Sequence, residues 1–292
     1  MVKLRLFVAM VWVLSLLVAG TGLIACTDGG GSFSATASSS SESESATPSA
    51  DSSPSAEPVG LSELPQGDDP VDLDPADFTT KIDNPYFPLV PGTRSIYREI
   101  DEEGKKLKVV VIVTRKTKKI ANGITARVVR DTVTEDGALI EDTYDWYAQD
   151  SEANVWYMGE NTAEFEDGKI TTRKGSFEAG VDGALPGIIM PGDPQPGLAF
   201  RQEYYKGKAE DNGEILSTEE IADVPLGHFD NLLMTKDTIT IEPKVLEYKL
   251  YARDVGLVLA LGISGGGGRE ELVKTDKVSA TAGIGPLGTP DP

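Results

Sequence analysis

Few residues in this chain can do chemistry. It has one histidine, one cysteine and a surplus of carboxylates. A Ser-His-Asp hydrolase needs a histidine base, and the lone His228 lies in Pro225-Leu226-Gly227-His228-Phe229, which reads as a turn between two strands. The same count excludes a histidine-rich zinc site. The glycine run 265–268 lacks the Gly-Lys-Ser/Thr ending of a phosphate loop and opens no helix, so it reads as a hairpin loop.

The carboxylates gather at Glu135, Asp136, Glu141, Asp142, Asp145, Asp150 and Glu152. Several such oxygens could hold calcium, but the Asp-x-Asp-x-Asp-Gly order of a calcium loop is absent. Alternate positions on solvent-facing strands account for the cluster. A carboxylate pair for glycoside hydrolysis is the remaining enzymatic route, and it depends on a separation that sequence does not give. The expectation is no catalytic residue, no metal and no cofactor: not an enzyme. The net charge of −20 also excludes nucleic acid as a partner, because phosphates require a basic surface. Arg94, Arg98, Lys105, Lys106, Lys108, Arg115, Lys116, Lys118 and Lys119 crowd one hairpin. They read either as a solvated strand face protecting an edge or as a contact to anionic lipid or wall polymer.

Aromatic rings are the other resource. Tyr144 and Trp146 share a strand face and Tyr147 takes the opposite one; Trp156 and Tyr157, and Tyr204 and Tyr205, split likewise. Core packing explains rings on both faces. The sharper reading is a ligand pocket with Trp146, Trp156, Tyr204, Ile188 and Met190 as members.

The elements that would position these residues are strands. Glu102-Glu103-Gly104-Lys105, Asn122-Gly123, Asp136-Gly137 and Asp167-Gly168 punctuate β-rich runs as hairpin turns do. Further runs follow to residue 278 with no persuasive long amphipathic helix. The expected fold is all-β, an antiparallel meander of about ten to twelve strands closed into a barrel or strongly curved half-barrel, which covers its apolar face and its edges. Residues 183–197, GALPGIIMPGDPQPG, hold four prolines and four glycines. They read as an irregular segment across one barrel end, either a fixed plug or a mobile lid.

The N-terminus carries Lys3 and Arg5 before an apolar run, the order of an export signal. The run ends in Leu23-Ile24-Ala25-Cys26, which resembles the lipobox of bacterial lipoproteins. That resemblance implies diacylglycerol on Cys26 and cleavage before it; an uncleaved membrane span is the alternative. The domains expected are therefore a signal peptide (1–25), a lipidated N-terminus and disordered Ser/Pro/acidic tether (26–77), one β domain (78–278) and a flexible C-terminal tail (279–292). The location expected is the extracytoplasmic face of the cell membrane.

The segments IDNPYFPLVPGT (82–93), DTYDWYAQD (142–150), NVWYMGE (154–160), GALPGIIMP (183–191) and FRQEYY (200–205) resemble an uncharacterised family of bacterial secreted proteins and lipoproteins. No functional residues come with that likeness. On architecture alone the chain is also similar to LolA-like and lipocalin-like lipid carriers. Two functions remain open. One is a binding module for a lipid or other apolar ligand, held to the membrane by its anchor. The other is a structural or interaction protein contacting the wall or another envelope protein. A hollow or a filled barrel separates them.

Overall fold

The computed structural model describes residues 64–266 and 268–289. The signal peptide, Cys26 and most of the expected tether lie outside the described residues. Fourteen strands follow a short 3-10 turn at Pro75–Asp77: β1 (Thr93–Ile100), β2 (Lys106–Lys119), β3 (Thr125–Glu135), β4 (Ala138–Gln149), β5 (Val155–Glu166), β6 (Lys169–Thr172), β7 (Phe177–Glu178), β8 (Leu185–Met190), β9 (Ala199–Tyr205), β10 (Ala209–Val224), β11 (Gly227–Ile239), β12 (Glu242–Ala252), β13 (Gly256–Ser264) and β14 (Gly268–Lys277). All ladders are antiparallel. The β1–β14 ladder and the β4–β5 ladder close the sheet into a barrel of twelve strands, with β6 and β7 attached to β5 outside the ring. Lipocalin barrels have eight strands.

Local chemistry explains the hairpins. Asp136 and Gly137 have φ of 49° and 83°, and Asp167 and Gly168 have 51° and 72°, the left-handed pair that a two-residue turn needs to match strand twist. Asp101 caps the β1–β2 turn by accepting from the N–H groups of Glu103 and Lys105.

Several expectations are corrected. GALPGIIMP is not a plug: Leu185–Met190 is a wall strand between β5 and β9. Its glycine serves close approach. A Cβ on Gly187 would lie 2.2 Å from the carbonyl carbon of Gln202 on β9. The segment that covers a barrel end is residues 82–90. There the Asn84 side chain accepts from the N–H groups of Tyr86 and Phe87 and donates to the carbonyls of Ala153 and Pro191, while Gln149 accepts from Asp83 and Asn84. Phe87 is thereby packed edge-on against Tyr147 at 5.5 Å.

The packed chain also begins before residue 78 and continues after 278. Leu64, Val71 and Leu73 pack on the main core, and the buried Arg201 guanidinium donates to the carbonyls of Gly67 and Asp69. Residues 279–289 are held as well. Arg130 donates to the carbonyls of Gly285 and Pro286, the one hydroxyl hydrogen of Tyr144 points between those of Gly283 and Gly285, and Gly288 N–H donates to Asp142. These two segments cover parts of the outer wall, so strands there are buried on both faces. Asp142 is accordingly buried rather than solvent-facing, and Glu141 and Asp145, on the opposite face of β4, are buried toward the interior. Arg94, Arg98 and Lys108 do not guard an edge, because β1 and β2 are paired on both sides there, whereas beyond Ile112 the ladder to β1 has ended and Lys118 and Lys119 pair with β3 alone.

Candidate functional site

Inward-facing residues of a barrel alternate along every strand, so the lumen can be read strand by strand. β12 contributes Val245, Glu247, Lys249 and Tyr251 at every second position. β3 contributes Val129 and Asp131, β4 Asp145 and Tyr147, and β2 Val111 and Val113. Between them lies a cavity of about 470 Å³. At a strand rise of about 3.4 Å per residue, the stretch from Val245 to Tyr251 makes it roughly 20 Å long and therefore narrow. Its mouth lies where the wall ladder stops. β13 and β14 pair only from Leu259 with Glu271 to Gly262 with Gly268. Beyond that pairing, Val255 and Leu257 on one side and Thr275 and Lys277 on the other line the cavity beside Phe87, Leu89 and the exposed Val90.

Deeper in, the lining is acidic. Burial, then the neighbouring Asp145 and Glu270, hold Asp131 well above the usual carboxylate range. Burial pushes Glu270 up to about 8 against the opposing pull of Lys249, and Asp145 up to about 7. Burial likewise raises Glu160, Glu203 and Asp211, the last despite Lys249 nearby. Glu99, at the side of the same cluster, reaches about 10 through burial and the charge of Glu270.

Hydrogen bonding demands the same protons. Tyr157 Oη lies 2.8 Å from Asp145 Oδ1 and 2.8 Å from Glu160 Oε2, yet it has one hydrogen to give. One of the two carboxyls must itself carry a proton and donate it. Glu203 and Asp211 interact side chain to side chain, and no N–H or hydroxyl reaches either oxygen of Glu203. A proton held between the two acids satisfies that contact, with Glu203 the holder. Among the described residues, Lys249 supplies the positive charge beside these acids, whereas Lys277 lies at the mouth. Its Nζ is 2.8 Å from Asp237 and 3.4 Å from Glu247, which outweigh burial and keep it charged. At neutral pH the lumen is thus a set of mainly protonated acids around one compensated ion cluster.

The five residues expected in the pocket are not in its lining. Ile188 and Met190 are fully buried in the core of the wall. Trp146 faces away from Tyr147 and lies under Lys118 Nζ, 4.4 Å from its ring. Trp156 donates to Asp150 at 2.7 Å and meets Phe78 edge-on. Tyr204 is half-buried on β9 opposite Leu185. His228 stands at the start of β11 beside the β10–β11 turn, exposed, with Asp223 and Asp230 raising its pKa. Among the described residues no group of three or more His, Cys, Asp or Glu is arranged to hold a metal ion.

Sequence reasoning missed Asp131, Asp211, Asp237, Glu247, Lys249 and Glu270. The usable signal was period two with charge on the apolar side, as in Val129-Asp131-Val133 and Val245-Glu247-Lys249-Tyr251. A soluble protein tolerates such a stripe facing inward only where the interior holds space or partners.

No protein-family model matches the chain, and no curated protein matches it. Among solved structures it is similar to one described as a "putative lipoprotein" from Parabacteroides distasonis. The two are 12% identical with a TM-score of 0.37, over 66% of this chain and 99% of that one.

Proposed function

We propose that this chain is a lipid-anchored envelope protein that binds a slender ligand with an apolar body inside its barrel. The observation that carries this reading is the cavity of about 470 Å³, within the range of small-molecule sites. Val90, Leu89 and Phe87 at its mouth, with Val111, Val113 and Val129 further in, suit an apolar chain. Each methylene transferred there from water is worth about 0.8 kcal/mol, so eight or more offset the cost of ordering a flexible ligand. The lipobox-like Leu23-Ile24-Ala25-Cys26 supports anchorage through Cys26, as does the resemblance to secreted proteins and lipoproteins.

Extraction of the protein purified from its own host, under denaturing conditions, should release a bound amphiphile detectable by mass spectrometry. Val129→Trp fills the lumen and should abolish that signal while the barrel still folds. Absence of any co-purifying small molecule, with no uptake of alkyl probes by the refolded protein, removes the binding reading and leaves an interaction protein.

A further inference from the structure

The lumen holds acceptors that the protein itself does not satisfy. Asp131 of β3 and Asp211 of β10 both line the cavity and are 3% and 5% exposed. No hydrogen-bond donor of the described residues reaches either oxygen of Asp131 or Oδ1 of Asp211. Buried polar atoms without partners are rare, because each loses its bonds to water and gains none in return. Asp131, unmet at both oxygens and lining the cavity, marks where a ligand's donors belong; Asp211, already in contact with Glu203, offers one further oxygen.

The ionisable groups around them decide which charge that ligand can carry. β4 presents Asp145 and Tyr147, β14 presents Glu270, and β1 presents Tyr97. Behind these stand Glu160 of β5 and Glu203 of β9. On β11 and β12 the one cation, Lys249, is already engaged by Asp237 and Glu247, with Tyr251 beside it. Among the described residues the other ionisable groups around the pair are acids and phenols; the remaining lysine of the lining, Lys277, lies at the mouth on Thr93. An entering anion such as a fatty acid meets no unengaged cation here, whereas an entering cation can take the place of a proton on one of these acids and pair with the carboxylate. The acids are not gathered into a metal site, so the cation they suit is an organic one with N–H donors.

We infer that the ligand carries a basic nitrogen, an ammonium at the end of a slender apolar chain, with its N–H groups on Asp131 and its chain toward Phe87 and Leu89; Asp211 is a second acceptor further along the lumen. This names the ligand class for the binding function proposed above and rests on it. Because burial and the neighbouring acids favour the protonated form of Asp131, binding of the ammonium ion displaces that proton to solvent. Ligand nitrogen and carboxylate then form a charge-assisted pair. Affinity therefore rises with pH, by up to about tenfold per unit, while Asp131 is the group that must ionise.

Calorimetry on the mature full-length chain carrying Cys26→Ser, which removes the acyl anchor, tests this with octylamine, octanol and octanoate in two buffers of different ionisation enthalpy. The expected result is octylamine binding at least about tenfold tighter than octanol, near one proton released, and octanoate weakest. Asp131→Asn should remove proton release and the amine preference while octanol still binds; Asp211→Asn provides a second variant should the first fail to fold. Equal binding of amine and alcohol without proton release overturns the ammonium inference and leaves an apolar binder. No binding of any of the three overturns the binding function itself.

Discussion

Raising the pH should destabilise this barrel across a range where most proteins are indifferent to it. A carboxyl whose pKa is higher folded than unfolded holds its proton in the native state after the unfolded chain has lost it. Stability is therefore fully present below the unfolded value and is lost as pH rises toward the folded one. Glu270 and Glu99 are pushed up to about 8 and about 10 from 4.5. Between about pH 5.5 and about pH 7.5 each costs close to 1.4 kcal/mol per unit, so the two together remove roughly 5 kcal/mol if they act independently. That is a large part of the 5–15 kcal/mol typical of a domain, about. The groups shifted the other way act elsewhere. Asp83, Asp276 and Glu271 are lowered and matter only toward acid, and Lys249 is raised and matters only above its ordinary range. Urea unfolding followed by circular dichroism across this range should give midpoints that fall steadily with pH, and Glu270→Gln should flatten the slope by about 1.4 kcal/mol per unit. A midpoint that is flat, or that rises toward neutral pH, would show that the interior acids are ionised in the folded barrel and would refute the reasoning.

Other perturbations test other parts. Arg130 and Asp142 form a buried pair at 2.5 Å beneath the C-terminal strap; Arg130→Ala strands the carboxylate, should cost about 3–5 kcal/mol in a denaturation experiment, and should expose residues 279–289 to protease. Phe87→Ala takes a ring out of the cover at the cavity mouth, so a loss of roughly 3 kcal/mol and faster exchange of bound probe in stopped flow are expected. Cys26→Ser should shift the protein from the detergent phase to the aqueous phase in partitioning, and unchanged partitioning would count against acylation there.

The strand pattern was legible because hairpin chemistry is local. Asp136-Gly137 and Asp167-Gly168 each specify a turn whatever surrounds them, and enough turns in series imply a sheet that must close. GALPGIIMP misled because Pro and Gly ordinarily break strands, whereas Gly187 here removes the Cβ that would collide with Gln202 on β9. Only the packed partner reveals that difference. The aromatic pocket misled for a related reason. Trp146 and Tyr147 are adjacent and both buried, one in the outer layer and one in the lumen, because the barrel wall is covered on both sides at this point. Alternation separates two faces but does not say which is the interior when both lack solvent. For the same reason alternation alone does not tell apart Arg130 and Asp131, neighbours on β3, of which the first is a clasp on one face and the second a lumen acid on the other.

What the cavity contains is the most direct question. A crystal structure of the protein isolated from its own envelope without denaturation addresses it, with attention to density along β12 from Tyr251 to Val245. The account predicts elongated density inside the barrel, entering beside Phe87 and ending in a donor within hydrogen-bond distance of Asp131. A lumen closed by repacked side chains, or density confined to the outer wall, would contradict it.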